Sequence, residues 1–370
     1  MTTGLYTLEQ LEGMTNVPIS DFDGGADALA ESVQADLAAW NATIETAVGE
    51  LCEITSNRYE GRGDGEDDSA DGVGNGRSDQ FAAPLTNTAL PVGAVMFPCY
   101  PHEYATGWTI DFLESATVSQ LAIKLKKEQK RDLRNIMNAI RRGIYLSGNR
   151  VERDHFDPRK AALHIKSFLN ADGDAIPMSA DSLEYFDGAS HTHYLTAATA
   201  NQLVEADVDR LIATVAEHGY GEKIHIYISM GDETAMKSIG SKFQPILSAE
   251  LVHAVNQTRP NQQATPRELN LQNRLIGLYD GKAYVWVKPY AVSKRIFAAD
   301  VAHENKPLAF RRRPQPKLQG MRLMAVIPSH PIYVEQMRHD FGIAVRTREN
   351  GAVLDWSQGS DGTYSDPTLR

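Results

Sequence analysis

The longest regular hydrophobic pattern in the chain lies between Thr117 and Ser147. Its apolar residues recur at steps of three and four, which places them on one face of an α-helix: Val118, Leu121, Ala122, Leu125, Leu133, Ile136, Met137, Ile140 and Ile144. Thr117 and Gln120 have the spacing of a capping box, and neither Gly nor Pro occurs between Thr117 and Arg142. The pattern predicts a helix about 40 Å long, at roughly 1.5 Å per residue.

The polar face of this helix is basic, although the whole chain has a formal net charge of −11. Its basic residues are Lys124, Lys126, Lys127, Lys130, Arg131, Arg134, Arg141 and Arg142, against the acidic residues Glu128 and Asp132. One interpretation is a solvated face whose alkyl stems cover apolar neighbours. The other is a surface that meets an acidic partner, either another subunit or nucleic acid. The acidic chain as a whole argues against a dedicated duplex-DNA binder.

A second helix is predicted from about Ala26 to Thr55. Its apolar positions again follow steps of three and four: Leu29, Val33, Leu37, Trp40, Ile44, Val48 and Leu51. Residues 1–25 mix Gly, Asp, Thr and Pro with few apolar residues, and we interpret them as an arm without a core of its own.

Residues 56–83 are rich in glycine and acidic side chains and poor in apolar ones. Such a segment cannot offset its ordering entropy by burial, so we expect it to be mobile when the chain is alone. Arg62-Gly63-Asp64 matches an integrin ligand, but the surrounding sequence offers no context for it. Asp67 to Gly72 matches the first half of a calcium loop, yet Ser78 stands where a bidentate Glu is required, which disfavours calcium.

Residues 84–108 predict two short extended segments that fold back towards the long helix. Together with residues 56–83 they would form a protruding loop. Isolated hairpins are marginally stable in water, so we expect a neighbouring copy of the chain to hold this loop.

Beyond the long helix the pattern alternates between strand and helix, which favours a sheet with helices packed on it. The predicted strands are Ala162–Leu169, Ala175–Met178, Ile224–Ile228 (half-buried), Ala283–Val287 and Met321–Ile327. One predicted helix begins at a capping box of Thr199 and Gln202 and ends at Gly219. Two further helices are predicted at Glu233–Ile239 and Ala249–Asn256. Turns are predicted at Ala171–Asp174, at Tyr279–Lys282, and as a hairpin at Asn350-Gly351 between Gly342–Arg348 and Ala352–Trp356.

Length and composition are those of an ordinary globular protein. The 370 residues are 42% hydrophobic and 23% charged, which allows a sizeable core and usually two or more domains. No run of about 18 apolar residues occurs and the first residues show no leader pattern, so we expect a soluble protein made and used inside a cell. Cys52 and Cys99, the two cysteines, argue against a disulfide framework and a zinc site.

Catalytic signatures are absent from the sequence: it has no phosphate-binding glycine loop, no His-Glu-x-x-His and no Gly-x-Ser-x-Gly. His191 and His193 could ligate a metal from one face of a strand, but no third ligand follows at a motif spacing, which favours a structural role. Arg311-Arg312-Arg313 could bind phosphate or a partner's carboxylates, or be a solvated loop. No catalytic, cofactor-binding or metal-ligating residue is therefore predicted.

Several stretches, together with the order of the elements, are similar to a known family. They are Ser190–Leu195, Leu211–Gly221, Val285–Tyr290, Asp300–Pro307, Phe341–Val345 and Tyr364–Pro367. The chain resembles the major capsid protein of tailed phages, the Hong Kong 97-type fold. The resemblance implies an α+β fold with an N-terminal arm (1–25), an N-terminal helix (26–55), an extended E-loop (56–108), an axial A domain (200–295) and a peripheral P domain (109–199, with the spine helix at 117–147, and 296–370).

The function that the resemblance implies is structural and not enzymatic. It is self-assembly into an icosahedral shell around phage double-stranded DNA, in a virion whose shell is assembled in the host cytoplasm. The implied partners are copies of the same chain in hexamers and pentamers, the packaged DNA through non-specific charge contacts, and scaffolding, portal and decoration proteins. No membrane and no cofactor is implied. A short arm leaves no fused scaffold, so the scaffolding protein would be separate or absent.

Two rival functions remain open at this point. One is the shell of an encapsulin-like bacterial nanocompartment, which has the same fold and differs by a groove that binds cargo. The other is a metal-dependent α/β hydrolase that uses His191 and His193.

Overall fold

The computed structural model describes residues 6–22, 25–60, 95–109, 115–157, 162–174, 176, 186–245, 273–329, 332–359 and 362–369. Four of the predicted features therefore lie outside the described residues. These are the Arg62-Gly63-Asp64 triplet, the half calcium loop from Asp67 to Ser78, the predicted helix Ala249–Asn256 and, except for Ile176, the predicted strand Ala175–Met178.

The described residues form helices, strands and short 3₁₀ turns. The α-helices are α1 Leu8–Gly13, α2 Gly25–Val48, α3 Val118–Tyr145, α4 Glu205–Ala216 and α5 Glu233–Lys237. The strands of the first half are β1 Cys52–Thr55, β2 Tyr59–Glu60, β3 Val95–Met96, β4 Tyr100–Thr109, β5 Arg150–Arg153, β6 Ala162–Ile165 and β7 Tyr194–Thr196. The remaining strands are β8 Ile224–Ile228, β9 Phe243–Pro245, β10 Arg274–Tyr279, β11 Ala283–Val287, β12 Arg295–Asp300, β13 Leu308–Arg312, β14 Met321–Ser329, β15 Ile332–Val345 and β16 Ala352–Asp355.

The long basic helix is confirmed as α3, with 28 residues. Thr117 is its N-cap residue, and one half of the predicted capping box is present: the backbone N–H of Thr117 donates to the side-chain oxygen of Gln120 at 3.2 Å. Its apolar face is buried at Val118, Leu125, Ile136 and other positions of the predicted stripe. At about 1.5 Å per residue α3 spans roughly 42 Å.

One face of α3 packs on a five-stranded sheet in the order β1-β13-β15-β14, with β4 also paired to β15. All of its pairs are antiparallel except β1 with β13. The last turn of α3 lies against this sheet at Gly143, where a Cβ would be in ordinary van der Waals contact, 3.4 Å from Leu308 and 3.7 Å from Ile343.

A seven-stranded sheet follows the order β7-β16-β12-β8-β11-β10-β9. The pairs β8 with β11 and β7 with β16 are parallel, and the others are antiparallel. Helix α4 contributes Val208, Leu211 and Val215, all fully buried, to the core on one side of this sheet. On the other side, Tyr227 and Phe297 join a second core that includes residues of α2, α3 and the five-stranded sheet. The prediction of helices packed on sheets is confirmed.

The second predicted helix ends earlier than its hydrophobic pattern suggested. Helix α2 stops at Val48, and residues 52–55 form β1, which pairs in parallel with β13 from Cys52↔Leu308 to Thr55↔Arg311. The helical spacing continues through Leu51 only by chance. The conformation of residues 52–55 is decided by backbone pairing with a strand some 250 residues away.

The predicted hairpin at Asn350-Gly351 is wrong. Strands β15 and β16 on either side belong to different sheets. The buried amide of Asn350 instead bonds to the backbone of β12 and its following loop: Nδ2 donates to the carbonyls of Asp300 at 2.9 Å and Asn305 at 2.8 Å, and Oδ1 accepts from the N–H of Asp300 at 2.8 Å. This Asn satisfies buried backbone groups instead of forming a two-residue turn.

The other predicted turn, at Tyr279–Lys282, is confirmed. It joins β10 to β11, and Asp280 and Gly281 have positive φ angles of 48° and 67°, as a hairpin turn of type I′ requires.

Two smaller predictions need correction. The helix assigned to the Thr199–Gln202 box begins only at Glu205, and the carboxylate of Asp207 caps it by accepting from the N–H of Val204 at 3.4 Å and of Ala198 at 2.9 Å. Strand β8, predicted to be half-buried, is buried at every position, because layers of side chains cover both faces of its sheet.

The chain itself supports parts of the predicted arm and loop. In α1, Leu8 and Leu11 are buried against the first turns of α3. Strand β4 pairs with β15 over ten residues, from Tyr100↔Phe341 to Thr109↔Ile332. For residues 100–108 of the predicted loop, β15 of the same chain thus provides strand pairing. The expected contact of the loop with a neighbouring copy stays a prediction. None of the described helices is long and apolar enough to cross a membrane.

Candidate functional site

Four potential metal ligands converge beside the end of α4. The Nε2 atoms of His191, His193 and His218 form a triangle with sides of 3.2, 3.1 and 3.1 Å. Oε1 of Glu217 lies 3.3 Å from Nε2 of His191, 3.7 Å from that of His218 and 3.9 Å from that of His193. We call these four residues the histidine cluster.

Backbone hydrogen bonds on both sides position His193, which stands just before β7. Its N–H donates to the carbonyl of Leu169 at 2.8 Å, and its carbonyl accepts from the N–H of Val353 in β16 at 2.8 Å. His191 is held in the preceding turn, where its N–H donates to the carbonyl of Asp187 at 2.9 Å. Both side chains therefore start from an ordered part of the sheet edge.

The segment that receives His193 is itself fixed by a buried arginine. The guanidinium of Arg348 donates to the carbonyl of Ser167 at 2.7 Å and to Oδ1 of Asn170 at 2.9 Å. It also pairs with Asp172 at 3.0 Å and Asp174 at 2.7 Å, in the turn predicted from the sequence. Because Arg348 has no exposed side-chain surface, these contacts make the turn a rigid support for the cluster.

Glu217 and His218 reach the cluster because α4 ends there. The N–H of Glu217 bonds to the carbonyl of Ala213 at 2.9 Å, and Gly219 follows with a positive φ of 82°. This glycine lets the chain turn away after the last helical bond, so Glu217 and His218 are left beside His191 and His193.

Burial favours the neutral form of His191 and His193, which is the form that binds metals. Burial lowers the pKa of His193 well below its usual value, with a further contribution from the nearby His218, and burial also lowers the pKa of His191. Burial raises the pKa of Glu217 to about 7. Nδ1 of His193 donates to the carbonyl of Gly351 at 2.8 Å, so its Nε2 carries a lone pair that points into the cluster.

Sequence reasoning found half of this cluster. It singled out His191 and His193 but found no further ligand, because Glu217 and His218 come 24 or more residues later, after β7 and α4. The one local signal was an adjacent Glu-His pair directly before the glycine that ends a predicted helix. Cys52 and Cys99 are buried, free thiols, and neither belongs to the cluster.

The basic face of α3 is exposed, as predicted. Lys127, Lys130 and Arg134 are exposed and, in the described part of the chain, have no ion-pair partner. Lys126 pairs with Glu12 at 2.6 Å and Arg131 with Glu128 at 2.9 Å. The guanidinium of Arg141 turns inward and donates to backbone carbonyls of the loop after β11.

The two acidic residues assigned to that face are not part of it. Asp132 is completely buried and Glu128 is nearly so. The exposed surface is consequently more basic than a count of charges along the helix indicates. The sequence could not reveal this, because the partners of Asp132 come from α2, β4 and β15.

The arginine triplet at 311–313 is not a free anion-binding loop. Arg311 is buried and pairs with Asp154 at 3.0 Å, Arg312 pairs with Glu45, and the guanidinium of Arg313 stacks 4.0 Å above the ring of Phe156. Each side chain already has a partner within the chain, so both predicted interpretations of the triplet are replaced by a structural one.

Comparison with known proteins gives similarity at the level of structure. No family model and no curated protein matches the chain. A solved structure from Mycobacterium phage Patience is similar with a TM-score of 0.60 and 17% identity, over 100% of this chain and 97% of that one. The chain has the Hong Kong 97-type fold. The predicted α+β capsid fold is thereby confirmed.

Other structures with this Hong Kong 97-type fold are more distant. The capsid of an empty GTA particle matches with a TM-score of 0.47 and 13% identity, over 84% of this chain and 90% of that one. The SrpI encapsulin of Synechococcus elongatus PCC 7942 matches with a TM-score of 0.36 and 14% identity, over 74% of this chain and 79% of that one.

Proposed function

We propose that the chain is the major capsid protein of a tailed phage, a structural protein that assembles into an icosahedral shell around double-stranded DNA. The observation that supports this best is the similarity over the full length of the chain to a structure from Mycobacterium phage Patience. The match covers 100% of this chain and 97% of the other, so neither chain has a large domain that the other lacks. The proposed location is the virion, with assembly in the host cytoplasm.

The proposed domain layout follows the Hong Kong 97-type fold. Residues 1–25 are the arm, 26–55 the N-terminal helix, 56–108 the E-loop, 200–295 the axial domain, and 109–199 with 296–370 the peripheral domain. The spine helix is α3. The seven-stranded sheet spans this division, because β7 and β16 come from the proposed peripheral ranges and β12 lies at the boundary.

The exposed basic face of α3 supports a contact with packaged DNA. Lys127, Lys130 and Arg134 offer positive charge without a nearby carboxylate in the described residues, and charge alone suffices for non-specific binding to phosphates. Because the whole chain has a net charge of −11, the excess of acidic residues lies outside this basic face. Scaffolding, portal and decoration proteins are further proposed partners.

Expression of the chain followed by negative-stain electron microscopy tests the proposal. We expect closed particles with a regular diameter, built from hexamers and pentamers of one chain. A monodisperse monomer at high protein concentration, even when the genes next to its own are co-expressed to supply a scaffolding protein, would contradict a shell function.

The contents of the particles separate the rival functions. Particles that contain nucleic acid support the capsid, and particles that package a specific protein cargo without nucleic acid indicate a nanocompartment. Hydrolytic activity in a monomer, lost in His193→Ala, would indicate the metal-dependent hydrolase instead.

A further inference from the structure

We propose that His191, His193, Glu217 and His218 bind one structural Zn²⁺ ion per chain. Its metal can be measured on the unassembled chain, independently of the proposed shell function.

The spacing of the three imidazoles matches a metal site. An ion held at about 2.0–2.1 Å by three histidines at tetrahedral angles keeps their nitrogens roughly 3.3–3.4 Å apart. The three Nε2 atoms lie 3.1–3.2 Å apart, and Oε1 of Glu217 is 3.3–3.9 Å from all three. All four donor atoms lie within 4.8 Å of one another, so a single ion can contact all of them after small side-chain adjustments.

Hydrogen bonds between neutral rings do not explain this triangle. The ring proton of His193 is on Nδ1, where it donates to the carbonyl of Gly351, so its Nε2 can only accept. His191 and His218 can supply at most one proton each to the three Nε2 contacts. At least one side of the triangle therefore has no proton between its two nitrogens, and a cation in the centre removes that conflict.

The surroundings of the cluster have the properties of a structural site. The bond from His193 to Gly351 orients one ligand through its second nitrogen, as is typical of metal-bound histidines. The ring of Phe186 packs against His191 at 4.6 Å and against His218 at 4.5 Å between centroids, and it covers part of both rings. Four protein ligands complete a tetrahedral shell and leave no open position for a substrate.

The ligand types favour zinc over harder cations. Imidazole suits Zn²⁺ and other transition metals, whereas Mg²⁺ and Ca²⁺ prefer shells of oxygen ligands. The ion would connect the turn before β7 to the end of α4. Through Gly351 it would also stabilise the connection between the two sheets.

Metal analysis of the purified full-length chain tests the proposal. After treatment with a chelator and dialysis, the chain is titrated with Zn²⁺ against a chromogenic chelator, and bound zinc is counted by mass spectrometry. We expect about one Zn²⁺ per chain, and an affinity that falls by at least about 100-fold in His191→Gln, since loss even of an outer-shell partner costs about 10–100-fold. His164→Gln, a change of an exposed histidine on β6, is the matched control and should bind as the wild type does.

A second measurement keeps the test decisive if His191→Gln fails to fold. Co²⁺ bound to the wild-type chain should give the intense visible absorption of a tetrahedral site, and Zn²⁺ should displace it. Less than about one fifth of an equivalent of zinc, a weak octahedral Co²⁺ spectrum, or unchanged zinc affinity in a folded His191→Gln would each overturn the proposal.

Discussion

Asp132 in α3 and His339 in β15 form a buried pair, with 2.9 Å between Oδ1 of the carboxylate and Nδ1 of the imidazole. The same carboxylate accepts from the hydroxyl of Tyr104 at 2.9 Å and from the indole N–H of Trp40 at 3.1 Å. Burial by itself raises the pKa of Asp132, but these bonds, that of His339 first among them, lower it overall. One side chain of the long helix thus joins α2, β4 and β15.

The variant Asp132→Asn should destabilise the fold by about 1–3 kcal/mol, the cost of leaving a buried donor or acceptor unsatisfied. The amide would turn an N–H₂ group towards either the indole or the imidazole donor. Urea denaturation gives the free energy of unfolding. Glu31→Gln, an equivalent change at an exposed position of α2, should leave that free energy within about 0.5 kcal/mol of the wild type. Equal stability of both variants would show that the buried pair contributes little.

The carboxylate of Glu50, just after α2, should make the free energy of unfolding depend on pH in the acidic range. Burial raises its pKa, but hydrogen bonds from His225 and Lys288, with a distance of 2.6 Å to the ammonium group of Lys288, lower it to about 2. A carboxylate with a lowered folded-state pKa contributes stability above its unfolded-state pKa, near 4.5, and loses that contribution as the pH falls through the folded value.

We therefore expect the free energy of unfolding to fall between about pH 4.5 and pH 2, in part through this one group. Glu50→Gln should be less stable than the wild type at neutral pH and should show a smaller loss across that window. Denaturation curves at a series of pH values measure both effects. An identical pH dependence in the two proteins would assign the acid sensitivity to other groups.

A side chain at position 342 in β15, which is glycine, should clash with the neighbouring backbone. A Cβ at this position would lie 2.1 Å from the carbonyl oxygen of Pro98, so Gly342→Ala forces the backbone segment before β4 away from β15. We expect a loss of about 1–3 kcal/mol or more from this overpacking. Gly148→Ala, where a Cβ meets nothing within 4 Å, is the control, and thermal unfolding of both variants measures the difference. A stable Gly342→Ala would mean that the two segments separate at little cost.

Charge reversal on α3 tests the proposed DNA contact. The triple variant Lys127→Glu, Lys130→Glu and Arg134→Glu should still form particles but should contain less nucleic acid. Each lost phosphate contact makes the negative slope of log affinity against log salt concentration shallower by about 0.9.

The matched control for this variant changes the same charge at exposed lysines elsewhere: Lys237→Glu, Lys282→Glu and Lys317→Glu. Nucleic acid content is measured by ultraviolet absorbance of purified particles, and affinity by binding to duplex DNA at several salt concentrations. A similar reduction in both triple variants would indicate a general effect of net charge instead of a contact through α3.

Local patterns determined much of the secondary structure. The apolar stripe from Val118 to Ile144 and the capping residues Thr117 and Gln120 predicted α3. This works because an α-helix has 3.6 residues per turn, so residues three and four positions apart share a face. The turn at Asp280-Gly281 was predictable for the same kind of reason, since its two residues must adopt positive φ. These features depend on residues a few positions apart.

Misassigned features depended on distant partners. The helical spacing through Leu51 did not show that residues 52–55 pair with β13, and Asn350-Gly351 did not show that its flanking strands enter different sheets. Asp132 had the spacing of a surface charge, yet the groups that bury it come from elements far away along the chain.

The sequence by itself therefore determined the long basic helix and the confirmed turn, because local periodicity and turn chemistry specify these. The α+β fold of the capsid type was implied by the resemblance to a known family. Only the tertiary structure decided that Asp132 is a buried junction and that His191 and His193 meet Glu217 and His218. The physical reason is that sheet pairing and the end of α4 bring these side chains together across 24 to 207 residues, a distance at which spacing in the sequence carries no geometric information.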